Sequence, residues 1–134
     1  QDPRAEGKDK MIDKVRAYMG HRDDVLLAFV FGSYASERAR DDSDLDVAVY
    51  MKYPLCGGDK SIKDELESLS GKMVDLVVLN DIDPIISMEV LQNGIPVKMD
   101  DKTYRVFFAK TVSMYEDIKI IRKEAEEKLV GFFS

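Results

Sequence analysis

Along the chain, short dense apolar runs alternate with longer stretches whose apolar positions recur every three to four residues. Met11, Ile12, Val15, Tyr18 and Met19 fall at helical spacing and Gly20 is a natural stop, so a helix is expected over 11–20. The run VLLAFVF at 25–31, closed by Gly32, predicts a buried strand. Residues 35–40 predict a helical turn, and DLDVAVYM at 44–51 a second strand. Pro54, Gly57 and Gly58 mark 54–59 as a loop. Ile62, Leu66 and Leu69 share one side of a helix expected over 61–69, with Ser61 as its cap. MVDLVVL at 73–79 predicts a third strand, and its near-continuous apolar character suggests burial on both faces.

Pro84 opens a further helix that Asn93-Gly94 ends. Residues 95–99 then predict an edge strand, because Pro96 cannot donate to a ladder. One long helix is expected over 102–130, with Phe108, Val112, Tyr115, Ile118, Arg122, Ala125 and Leu129 tracing its apolar stripe. Strands alternating with helices indicate a single domain of the α/β (α+β) class over 11–134. Residues 1–10 are polar and do not begin with Met; they are expected to be an upstream extension or a cloning remnant.

Composition narrows the function. The chain has 134 residues, 45% apolar and 34% charged, enough for one core and too apolar for wholesale disorder. No run reaches the ~20 apolar residues of a membrane helix, and a soluble cytoplasmic protein is expected. With 26 acidic against 20 basic side chains the net charge is −6, which argues against a long nucleic acid as main partner. Cys56 is the only cysteine, so neither an internal disulfide nor a cysteine zinc cage can form. His21 and Cys56 read as surface residues, the seven methionines as core fillers, and 116–128 as a solvated helix face. Phe132-Phe133 could pack on the domain or on a partner.

One constellation carries chemistry. Gly32-Ser33 stands at the end of the first strand, ten residues follow, and Asp44-Leu45-Asp46 opens the second. Strand side chains alternate, so Asp44 and Asp46 point to one side and repel each other unless water or a cation intervenes. Hard oxygen donors of this kind suit Mg²⁺. Asp75 places a third carboxylate in an apolar strand; if that strand neighbours the second, a site for two ions ~3.5–4 Å apart becomes possible, with Asp75 placed to help activate an attacking hydroxyl. A buried, unpaired Asp75 would cost several kcal/mol. Gly32 admits close backbone approach to a phosphate, Ser33 adds a donor, and Arg38 and Arg40 are candidates to screen triphosphate charge.

Gly-Ser, ten residues, then Asp-x-Asp, followed by an acidic residue on the next strand, resembles the signature of the DNA polymerase β-like nucleotidyltransferases. The short chain resembles their minimal nucleotidyltransferase (MNT) branch. The resemblance implies a mixed β-sheet flanked by helices with a long C-terminal helix. It also implies ATP as substrate, two Mg²⁺ ions on Asp44, Asp46 and Asp75, and nucleotide phosphates at Gly32 and Ser33. Many relatives carry a second glycine where this chain has Glu37, which changes the loop after Ser33. The chain has no room for an acceptor-binding domain, and so resembles the MNT antitoxin of HEPN–MNT pairs. That resemblance implies transfer of AMP to a tyrosine of a helical HEPN-type RNase toxin. Two other readings stand beside it: a non-catalytic antitoxin acting by complex formation, and an aminoglycoside-type small-molecule transferase.

Overall fold

A computed structural model describes residues 3–35 and 44–133 of the chain. Its elements run α1 (Pro3–Gly20), β1 (Val25–Phe31), a 3₁₀ turn (Gly32–Ala35), β2 (Leu45–Met51), α2 (Gly58–Ser70), β3 (Val74–Val78), a second 3₁₀ turn (Leu79–Asp81), α3 (Pro84–Asn93), β4 (Ile95–Lys98) and α4 (Asp101–Phe133). The four strands form one mixed sheet in the order β3-β2-β1-β4. β1 pairs antiparallel with both β2 and β4, while β3 joins β2 in parallel. This is the α/β class the alternation predicts.

Strand alternation divides the molecule into two apolar layers. Ala28, Val30, Val47 and Val49 face α1 and α2, meeting Val15, Met19, Ile62 and Leu66. Leu27, Phe29 and Ala48 face the other way, onto Val90 of α3 and Phe107 of α4. A bulge between Val25 and Leu27 shifts the register of β1 by one residue, which lets Val25 join the first layer although its parity matches the second. Ile62 and Leu66 are fully buried, and each contributes on the order of 1.5–3 kcal/mol by leaving water. Lys98 of β4 donates to the carbonyls of Met19 (3.0 Å) and Arg22 (2.5 Å), satisfying acceptors at the C-terminal end of α1.

Several expectations change. α1 begins at Pro3, eight residues before the predicted start; Pro3 is tolerated in the first turn, and Gly7 alone does not stop the helix. The loop over 54–59 is shorter than expected. Gly57, at φ 78°, is the N-cap of α2, and the Ser61 hydroxyl donates back to the Gly58 carbonyl (3.0 Å) instead of capping. Leu69 is exposed, so only Ile62 and Leu66 form the buried stripe of that helix. β3 is an edge strand: Val74 is buried, Leu76, Val77 and Val78 are half-buried, and Asp75 is exposed. Its expected burial on both faces is only partial: Leu76 and Val78 pack on the first layer and Val77 on the second, each half-buried. On α4 the buried positions are Phe107 and Thr111, while Phe108 is exposed. Val112, Tyr115 and Ile118 of the predicted stripe are half-buried, whereas Arg122 and Ala125 lie in solvent. Met19 and Met51 are buried, but Met73, Met99 and Met114 are exposed and fill no gap. His21 and Cys56 are exposed, as expected. The predicted helical turn over 35–40 falls mostly outside the described residues.

Candidate active site

The site lies where the ends of β1, β2 and β3 meet. β1 ends at Phe31, whose register partner on β2 is Asp46. Asp46 in turn pairs with Asp75 on β3. In-register neighbours on adjacent strands project to the same face. Phe31, Asp46 and Asp75 therefore form a row across the sheet, on the face that carries α3 and α4. Asp44 precedes β2 and is exposed; Asp46 is half-buried. Burial, then the Asp75 carboxylate, then the Asp44 carboxylate push the Asp46 carboxyl above its usual range. The exposure of Asp75 corrects the expected burial penalty: this carboxylate needs no buried partner. Its proximity to Asp46 comes instead from the parallel register.

Gly32 makes the close approach possible. Its φ of +69° is one that side chains rarely tolerate. A Cβ at this position would stand 2.1 Å from Asp46 Oδ2 and 3.0 Å from Asp46 Cγ. The 3₁₀ turn thus leads the backbone directly over the carboxylate, with half-buried Ser33 next to it. Tyr34, only 5% exposed, anchors the turn, and Lys72 Nζ lies 5.5 Å from the centre of its ring. Tyr34 has only one sign in the sequence, an aromatic directly after Gly-Ser. Arg38, Arg40 and Glu37 lie outside the described residues.

These donors fit a hard divalent cation: all are carboxylates, two are adjacent across the sheet, and their mutual repulsion raises the proton affinity of Asp46. The three are arrayed along one end of the sheet without closing into a cage; among the described residues no three His, Cys, Asp or Glu side chains stand in metal-binding geometry. When bound, such a cation neutralises phosphate charge and polarises the phosphorus under attack. Asp75 is exposed at the edge of the sheet.

Beside Asp75 opens a cleft of about 490 Å³, walled by Phe31, Val77, Ile85 and Ile86, with Glu89 and Tyr115 also on its lining. Hydrophobic periodicity carries no sign of it, because it forms only where α3 and α4 cross the end of the sheet.

The polymerase beta nucleotidyltransferase family model matches residues 13–103. The chain belongs to this family. It is 34% identical over 79 residues to a Methanocaldococcus jannaschii protein provisionally named a protein adenylyltransferase, a match covering 54% of this chain and 80% of that one. It is 28% identical over 98 residues to the protein adenylyltransferase MntA of Shewanella oneidensis, covering 72% of this chain and 70% of that one. The fold is also that of the MNT antitoxin in the complex with the tri-AMPylated Shewanella oneidensis HEPN toxin, with a TM-score of 0.65, 23% identity, and coverage of 95% of this chain and 98% of that one. The polymerase β-like fold with its long C-terminal helix is thereby shown. No helix among the described residues is long and apolar enough to cross a membrane.

Proposed function

We propose that this nucleotidyltransferase is a cytoplasmic antitoxin that transfers AMP from ATP to a tyrosine of a helical HEPN-type RNase and so silences it. The observation that carries the reading is the row Asp46–Asp75 in parallel register, with the Gly32 backbone laid over Asp46. A catalytic centre of this kind is what a purely steric inhibitor would not need to keep. The likeness to a protein adenylyltransferase and to an antitoxin bound to its AMPylated toxin supplies the acceptor class.

In this reading Asp44, Asp46 and Asp75 hold two Mg²⁺ ions, and Gly32 and Ser33 receive the triphosphate of ATP. Arg38 and Arg40 screen its charge. Asp75 takes the proton of the acceptor hydroxyl as that oxygen attacks the α-phosphorus, and pyrophosphate leaves. The net charge of −6 accords with a protein acceptor in preference to a long nucleic acid.

The test is protection of cells that express the partner toxin. The double variant Asp44→Asn, Asp46→Asn should fold yet lose protection. Full protection by that variant would replace catalysis with inhibition by complex formation.

A further inference from the structure

We propose that the cleft beside Asp75 is the acceptor subsite, and that Glu89 selects there for a tyrosine carried on a basic segment of a partner protein. The inference rests on the reading of the chain as a protein adenylyltransferase. The cleft is continuous with the reacting centre, because Asp75 forms part of its lining. At about 490 Å³ it has room for an aromatic side chain and its flanking residues.

Two properties identify the occupant. The first is the apolar wall. Phe31, Ile85 and Ile86 line the cleft, with Ile85 43% and Ile86 39% exposed. That surface suits a phenol ring better than a polyol, and Tyr115 offers the ring a further aromatic partner. The second is charge. Among the described lining residues only Asp75 and Glu89 are charged, and both are acidic. A phosphate backbone would be repelled there, while Lys or Arg beside the acceptor tyrosine would be attracted. Glu89 is exposed on α3, so its carboxylate is available to a partner. The step balances: the phenolic oxygen bonds to the α-phosphorus, the bridging bond to the β-phosphate breaks, pyrophosphate leaves with the electron pair, and the phenolic proton passes to Asp75.

The test uses the full chain and two synthetic 15-residue peptides, each with one central tyrosine, flanked by Lys in one and by Glu in the other. Binding is measured with Mg²⁺ and a non-hydrolysable ATP analogue, and AMP transfer with ATP in a separate arm. The Lys-flanked peptide should bind at least about tenfold more tightly, a difference of ~1.4 kcal/mol. Glu89→Gln should level that preference and Glu89→Lys should invert it, with thermal melts reporting on the fold of both. Equal affinity, no binding of either peptide, or a preference untouched by both variants would overturn the proposal. So would displacement of the Lys-flanked peptide by kanamycin followed by adenylylation of that compound. Binding governed by Glu89 without AMP on the tyrosine would uphold the subsite and count against the protein adenylyltransferase reading.

Discussion

At the residue scale, Gly32 tolerates no side chain without strain. Its φ of +69° and the 2.1 Å separation between a built Cβ and Asp46 Oδ2 act independently. Gly32→Ala should therefore destabilise the fold by at least the ~1–2 kcal/mol of a left-handed non-glycine residue. It should also weaken binding of a fluorescent ATP analogue, because relief of the contact displaces Asp46. Tyr18 gives a prediction in pH. Burial first, then its hydrogen bond to Glu65, push the phenol up to about 12, with Arg22 opposing. The native state thus holds this proton more tightly than the unfolded chain, where tyrosine titrates near ~10. The stabilisation is complete below ~10 and is lost as pH rises through about 12. Alkaline melts should fall across that window, and Tyr18→Phe should flatten the decline. Asp46 was legible because strand alternation is local and sets its face whatever the rest of the sheet does, whereas Asp44 lies just before β2. The exposure of Asp75 was not legible, since it depends on β3 having only one neighbour.

The elements are held by contacts that link distant parts of the sequence. Lys98 closes the end of α1 by donating to Met19 and Arg22 carbonyls. Lys98→Met should cost about 1.5–3 kcal/mol, the range for hydrogen bonds made by a charged group, read as a fall in urea midpoint. α4 starts at a local device instead. Asp100 Oδ2 accepts from the Thr103 backbone N–H (3.0 Å) and hydroxyl (2.5 Å), and these bonds hold its carboxyl below the usual range. A depressed carboxylate stabilises the fold above its unfolded pKa, and that contribution disappears as pH falls through the lower native value. Asp100→Ala should lower Tm at neutral pH and lose its effect at strongly acidic pH. Element types were readable from periodicity and turn residues: β1, β2, α3 and β4 lie within a residue or two of expectation. Ser61 was misread because a cap requires the backbone to enter the helix at that residue, and α2 had already begun at Gly58.

For the molecule as a whole, the sheet order decides function more than any single element. Placing β2 between β1 and β3 brings Gly32, Asp46 and Asp75 to one end of the sheet, on the side where α3 and α4 leave an open cleft. Sheet order, and with it the cleft, is a long-range property that hydrophobic pattern cannot encode. α4 shows the same limit, since its residues 120–128 are exposed while Phe107 and Thr111 are buried. The far half of this helix contributes little to the core. Ile120→Ser with Ile121→Ser should therefore shift stability by under about 1 kcal/mol, measured by urea unfolding. The row of carboxylates is proposed to support AMP transfer to a protein. The most direct test is intact-mass measurement of the purified HEPN-type partner after incubation with this protein, ATP and Mg²⁺. A mass gain of one or more AMP groups on the partner is expected, absent with Asp46→Asn and absent when Mg²⁺ is chelated. An unmodified partner under conditions where a known adenylyltransferase modifies its own acceptor, or equal modification by Asp46→Asn, would contradict it.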